Sequence, residues 1–326
     1  MATPLTVPAG ITRDPCLTLR GHSAHIVSLA ASQNGRLLAS VARDRTVRIW
    51  DLQTGKQCAL REWCRCAPWG FHRAAAFSVD ANRVYIADGR GKVHVLQRSA
   101  TLATEDLIDP CGSSWLTEFM TVTNRFTLSV IDESGCFAIS CPDGTVRLCR
   151  PECPDEPQIV FTDSRRRVPV FASARTLCAT VIRNDLVVYD LRSGCELRSY
   201  TLTKLQKPDR MTAMTIAHDA RTVAIGYASG RCEMRSVDDC RIIRQYQSSG
   251  VMVQDMAISA DGSYIAGIAS DGNLCVWDTA IGKRRLLVSL NGGRMLPMPS
   301  PSVCFPTCER VAATCNDHQI RVWPLG

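Results

Sequence analysis

Short apolar runs recur along the chain with turn residues between them. The clearest stretch reads Ile26-Val27-Ser28-Leu29-Ala30, then Arg36-Leu37-Leu38-Ala39-Ser40, then Thr46-Val47-Arg48-Ile49-Trp50-Asp51. β-Branched and aromatic residues suit a pleated, half-buried surface, and Asn34-Gly35 and Arg43-Asp44-Arg45 are turn signals. The stretch predicts an antiparallel meander of short strands. Six weaker copies follow. The second runs from Ala74 through Arg83-Val84-Tyr85-Ile86-Ala87 to Leu96, and the third from Phe126 through Phe137-Ala138-Ile139 to Leu148. The fourth ends at Leu186-Val187-Val188-Tyr189-Asp190, and the fifth contains Thr222-Val223-Ala224-Ile225-Gly226 before Ser229-Gly230. The sixth spans Met256 to Asp278, and the seventh closes with Arg310-Val311-Ala312-Ala313-Thr314 and Ile320-Arg321-Val322-Trp323. Third strands end at Trp50, Leu96, Cys149, Tyr189, Arg235, Trp277 and Trp323, a period of roughly 40 to 53 residues.

The first copy also carries Gly21-His22 and Trp50-Asp51 at the spacing of the WD40 repeat, which it resembles. That resemblance covers nearly the whole chain. It implies an all-β fold: one seven-bladed β-propeller over residues 1–326, with four antiparallel strands per blade stacked around a channel. It further implies closure by the N-terminal segment, where Cys16-Leu17-Thr18-Leu19 would supply the outer strand of the last blade. In the family a histidine, an aspartate, a tryptophan and often a hydroxyl form a buried hydrogen-bonded set. Here His22, Asp44 and Trp50 match, the hydroxyl position is Ala42, and Ser40 on the same strand face is a substitute. The sixth copy keeps Asp271 and Trp277 with Ser248-Ser249 in place of glycine-histidine; the seventh keeps Asp317 and Trp323. The second and fifth have neither dipeptide, so packing is expected to carry them.

Composition narrows the class. Residues 1–8 lack the basic start and apolar run of a secretory signal, and no stretch of eighteen apolar residues occurs, so the expectation is an intracellular, cytoplasmic or nuclear protein with no membrane span. Seventeen cysteines, an odd number without an export signal, read as reduced thiols acting as small apolar residues in strands. The net charge of +7 rests on 33 arginines and 5 lysines. Arginine suits bidentate contacts to carboxylate or phosphate, but net charge speaks to association, not fold, and a nucleic-acid role is not indicated.

No catalytic or cofactor chemistry is expected. His22, Asp44 and a nearby serine invite a triad reading, yet they sit at the family's structural positions and no nucleophile signature accompanies them. Cys58, Cys64, Cys66 and His72 are close in sequence but lack paired zinc-ligand spacing, and Asp88-Gly89-Arg90-Gly91 is a turn, not a phosphate loop.

Function is therefore expected on loops carried by a rigid scaffold. The segments leading into each first strand and the turns between second and third strands share one face of the disc. That face would carry Arg43, Arg45, Arg90 and Arg183, with Trp69 and Phe71 before the second copy and Arg165, Arg166 and Arg167 before the fourth. Arginine and aromatic residues dominate binding hot spots. An expansion over 106–125 adds Trp115 and Phe119 as plug or anchor, and a second over 291–301 is rich in glycine and proline. The leading expectation is a non-catalytic scaffold or adaptor within a multisubunit protein complex. Two alternatives stand beside it. Tyr189-Asp190-Leu191-Arg192 is similar to the box of WD-repeat substrate receptors for cullin-type ubiquitin ligases, which would make Arg192 a contact; an RNA- or ribosome-associated propeller would use the arginines.

Overall fold

The computed structural model describes residues 14–62, 74–87, 92–97, 104–108, 128–141, 144–150, 153–162, 171–174, 176–182, 185–202, 209–292 and 301–326. These residues form seven four-stranded antiparallel sheets. After β1 (Leu17–Leu19), the first blade holds β2 (Ile26–Ala31), β3 (Leu37–Ala42), β4 (Thr46–Asp51) and β5 (Gln57–Glu62). The second holds β6 (Ala74–Phe77), β7 (Arg83–Ala87), β8 (Val93–Gln97) and β9 (Thr104–Ile108); the third β10 (Leu128–Val130), β11 (Phe137–Ser140), β12 (Thr145–Arg150) and β13 (Cys153–Thr162). The fourth holds β14 (Phe171–Ala174), β15 (Leu177–Ile182), β16 (Asp185–Asp190) and β17 (Glu196–Thr201); the fifth β18 (Met211–Ile216), β19 (Thr222–Tyr227), β20 (Arg231–Ser236) and β21 (Ile242–Gln247). The sixth holds β22 (Val253–Ile258), β23 (Tyr264–Ala269), β24 (Asn273–Asp278) and β25 (Arg284–Ser289), and the seventh β26 (Val303–Thr307), β27 (Arg310–Thr314) and β28 (Ile320–Pro324).

The seventh blade takes its fourth strand from the other end of the chain. β1 pairs antiparallel with β28 in the register Leu17↔Val322, Thr18↔Arg321 and Leu19↔Ile320. Closure therefore links residues 17–19 to 320–322, as the N-terminal apolar run implied. The assignment of residues 106–125 to an expansion needs one correction: residues up to Ile108 belong to β9, which pairs with β8, because Asp106 and Leu107 continue the second blade's outer ladder.

The core is divided. Seven apolar clusters are found among the described residues, and each joins two neighbouring blades. One joins Leu37, Ala39, Val41, Val47 and Ile49 to Phe77, Val84, Ile86 and Leu96; another joins Leu19, Ile26, Leu38, Trp50 and Leu52 to Ala312, Ile320 and Val322. Every sheet is thus covered on both faces, which is why β3 is buried at all six positions. The first strands stitch the inner ring. Ala75 N–H donates to Ser28 Oγ (3.2 Å), Val303 N–H to Asp255 Oδ2 (2.9 Å) and Leu29 N–H to Ser302 Oγ (3.1 Å), each bond crossing from one blade to the one before it.

The aspartate after the third-strand tryptophan has a local role. Asp51 accepts from the N–H groups of Gln53 and Thr54, Asp278 from Ala280 and Ile281, and Asp190 from Arg192 and Ser193, so the carboxylate closes the turn into the fourth strand. Gly55, Gly194 and Gly282 complete these turns with φ of 70°, 70° and 73°.

The fifth blade replaces tryptophan with charge. Arg235 takes the register position of Trp50, and Glu233 that of Arg48. Glu233 is fully buried, yet each oxygen is satisfied. One accepts from Arg231 (2.6 Å) and Gln245 (3.1 Å), the other from Arg235 Nε (2.9 Å) and the Tyr227 hydroxyl (3.0 Å). The Arg231 guanidinium also lies 4.2 Å over the Tyr227 ring. The expectation that packing alone carries this blade is corrected: an ionic chain centred on the fully bonded Glu233 carboxylate occupies the tryptophan site. Removing its centre leaves Arg235 buried without a counter-ion. Glu233→Ala is expected to cost about 3–5 kcal/mol in urea unfolding, and Glu233→Gln, which keeps an acceptor, less.

Candidate functional site at the closure seam

The polar set of the first blade has four members joined in one chain. The Trp50 indole N–H, which can only donate, reaches Ser40 Oγ at 2.8 Å. Ser40 Oγ lies 2.7 Å from His22 Nε2, and His22 Nδ1 lies 2.8 Å from Asp44 Oδ2. One proton order satisfies all three contacts: Ser40 O–H donates to Nε2, and a neutral His22 donates its Nδ1–H to Asp44. Asp44 also accepts from Ser23 N–H (3.0 Å), Thr46 N–H (2.9 Å) and Thr46 Oγ1–H (2.7 Å). Gly21 gives room beside it: a Cβ there would stand 3.2 Å from Trp50 and would displace the end of the Arg48 side chain, 2.5 Å away. Ser40 fills the place left open by Ala42.

Burial pushes the His22 imidazole below its ordinary value, against the raising effect of Asp44. Burial would raise Asp44, but the bonds from His22, Thr46 and Ser23 outweigh it and hold the carboxyl well below the usual range. The serine-histidine-aspartate order mimics a catalytic relay, but Ser40 is fully buried under Trp50, so no substrate carbonyl reaches its hydroxyl.

The other blades hold fragments of this chain. In the seventh, Ala313 stands opposite Arg321 as Ser40 stands opposite Arg48. Trp323 Nε1 accordingly finds no acceptor among the described residues, and Asp317 instead binds Arg321. In the sixth, Gly267 takes the serine position beneath Trp277, and Asp271 accepts from Asn273 within its own turn. Asp271 and Trp277, and Asp317 and Trp323, are not brought together by any hydrogen bond between them that the structure places.

In an antiparallel meander the turns alternate between two faces, so segments before first strands share a face with the second-to-third-strand turns. Arg43 is half-buried and Arg45 exposed on that face, and Arg43 lies beside His25 at the seam between the first and seventh blades. Arg192 lies exposed on the opposite face, in the turn that Asp190 closes, and its carbonyl accepts from Arg150 (3.4 Å). Trp69, Phe71, Arg90, Trp115, Phe119, Arg165, Arg166, Arg167 and Arg183 lie outside the described residues, as do Cys64, Cys66 and His72.

Two further residues join Arg43 and Arg45. His25, just before β2, meets His318 of the β27–β28 turn edge to face across the seam, with ring centroids 4.7 Å apart. His318 Nδ1 is buried with no hydrogen-bond partner among the described residues. Burial first, then His318 and Arg43, push the His25 imidazole below its ordinary value. Asp317 is occupied by Arg321, and Asp44 by its four donors.

The backbone at this seam is unusual as well. The residue before the third strand is left-handed in five described turns: Gly144 (φ 87°), Gly230 (82°) and Gly272 (81°), but Arg45 (67°) and His318 (64°). A side chain there costs about 1–2 kcal/mol that glycine avoids. The two exceptions occupy adjacent blades, and His318 brings its basic side chain to the seam, against His25. Sequence reasoning missed His25 and His318; the available signal was the absent glycine at Asp317-His318, aligned with Asp143-Gly144 and Asp271-Gly272.

The remaining chemistry is sparse. Cys149 and Cys232 are pushed up to about 12 by burial first, and Cys275 and Cys315 to about 11, so these thiols behave as apolar packing residues. Among the described residues no group of three or more His, Cys, Asp or Glu side chains is placed to hold a metal ion. No helix is long and apolar enough to cross a membrane.

Seven radial blades of four strands define a β-propeller. Comparison with known proteins finds the WD domain, G-beta repeat, at residues 13–51 and 240–278. With the ring of seven blades, this makes the chain a WD40-repeat β-propeller. It is 27% identical over 188 residues to the WD repeat-containing protein 89 homolog of Dictyostelium discoideum, a match covering 56% of this chain and 48% of that one. It is 31% identical over 87 residues to the small ribosomal subunit protein RACK1z of Oryza sativa subsp. japonica, covering 27% and 24%. It is 38% identical over 61 residues to the nuclear distribution protein PAC1 of Yarrowia lipolytica, covering 17% and 14%. These matches span less than half the length of each relative.

Two outcomes test the polar chain. Ser40→Ala strands the Trp50 N–H and should cost about 1–3 kcal/mol in denaturant unfolding while the propeller still forms, since the seventh blade already tolerates such a tryptophan. Both His22 and Asp44 are depressed in the folded state, so an unfolded chain binds their protons first on acidification. Stability should be full above the unfolded histidine value of 6.5, fall as pH drops below it, and fall again below 3.8. Thermal melts across pH check this, and His22→Asn should shrink the upper step.

Proposed function

We propose that this propeller is a non-catalytic interaction platform within a protein assembly, and that it binds partners through the loop face over the first and seventh blades. The observation that carries the reading is the β3–β4 turn beside this seam, where Arg43 and Arg45 have no described carboxylate partner and flank Asp44, itself part of a fully bonded polar chain. Rigid support under exposed arginines lowers the entropy lost on binding. The relatives fit an interaction role, being WD-repeat proteins, one of them named as a ribosomal subunit protein.

That last likeness favours a second reading, association with a ribosome or its RNA through the arginines. One experiment addresses both. Affinity purification of the wild type and of Arg43→Glu/Arg45→Glu, with mass spectrometry at low and moderate salt, should show protein partners that the charge reversal removes while the melting temperature is kept. Partners retained in full by the double variant would refute the seam as the contact. Loss on nuclease treatment, with a steep fall in recovery as salt rises, would move the assignment to RNA.

A further inference from the structure

We propose that the seam between the first and seventh blades is a carboxylate site that takes an acidic segment of a partner protein, gripped by Arg20 and Arg43 on one side and by the His25–His318 pair across the blade junction. The proposal rests on the interaction reading above and gives it a chemistry.

Four observations converge on it. Arg20 and Arg45 are exposed and Arg43 half-buried, and none has a described carboxylate partner. The local acids are already used: Asp44 by His22, Ser23 and Thr46, and Asp317 by Arg321. His318 packs edge to face on the half-buried His25, and Arg43 acts on the same imidazole. His318 keeps a side chain in a left-handed turn where Gly144, Gly230 and Gly272 show that glycine serves the fold. Strain held at a turn that delivers a basic group to the seam points to ligand recognition and not to folding.

The arrangement suits side-chain carboxylates. Planar guanidinium forks match a carboxylate bidentately. Arg43 stands beside a half-buried imidazole pair, a compact set of cations that fits a short cluster of acids better than the evenly repeated charges of a phosphate backbone.

Two consequences distinguish this site from a generic basic patch. A ligand that touches both blades fastens the junction where β1 closes the ring, so binding should raise the melting temperature. The groups facing His25 are Arg43 and His318, both disfavouring its charge, and a bound carboxylate reverses that balance. Binding therefore takes up protons and tightens as pH falls.

The test uses the full chain and a short fluorescein-labelled oligoglutamate peptide, read by anisotropy at about pH 7.5 and about pH 5.5, with thermal melts alongside. Saturable binding is expected, tighter by about three-fold or more at the lower pH. His318→Gly should weaken it by about ten-fold while melting at or above the wild-type temperature without peptide, because its turn relaxes. Arg192→Ala should bind as wild type. Binding unchanged in Arg43→Ala/His318→Gly, or stronger binding of labelled oligouridylate than of oligoglutamate, would overturn the proposal. If charge reversal at Arg43 and Arg45 removes cellular partners but oligoglutamate never binds, the interaction reading stands and the carboxylate site falls. If oligoglutamate binds as described but no partner is recovered, the site stands and the assembly reading falls.

Discussion

Everything in this molecule depends on a sheet that is apolar on both faces. A four-stranded blade of this composition cannot be stable alone, because burying one face leaves the other in water. The ring solves this by making each blade the cover of the next, and the seven inter-blade clusters are its core. A ring, unlike a stack, must also close, and it does so at a single junction. There β1 adds to β28, and Leu19, Trp50 and Val322 share one apolar cluster.

The four-member polar chain faces that junction. Burying Trp50, His22 and Ser40 without partners would cost several bonds, whereas the chain from indole to carboxylate leaves none open. Elsewhere the same register position is filled differently: Leu96 and Cys149 by packing, Arg235 by an internal ion chain, Trp323 with an indole N–H that finds no acceptor among the described residues. The fold tolerates these changes because blade-to-blade burial dominates its stability and each polar set is a local correction.

The loop face inherits its rigidity from the same source. Arg43 and Arg45 flank Asp44, whose carboxylate is locked from below, so the turn cannot reorganise without breaking the chain. A few exposed groups on an immobile base are what a recognition surface needs. The exposed apolar residues lie elsewhere. Among the described residues Ile159, Leu197, Ile242, Ile243 and Ile281 belong to the outer strands and adjoining turns of the third to sixth blades, and Val251 precedes the first strand of the sixth blade.

Much of this was written in the sequence. Strand rhythm placed Trp50, Leu96, Cys149, Tyr189, Arg235, Trp277 and Trp323 at the ends of third strands; six of them stand second from the end of the paired ladder and Cys149 closes its own, because period-two patterning and turn residues act locally. Closure by residues 17–19 was legible only through the resemblance to the WD40 repeat, which implies that the N-terminal segment completes the last blade. Tertiary structure alone decided what depends on side chains distant in the chain. It put Ser40 between Trp50 and His22, turned Glu233 and Arg235 into a buried pair, and brought His25 against His318, nearly three hundred positions away. Local pattern specifies how each strand runs and which face is apolar; only the closed ring specifies which polar groups meet across it.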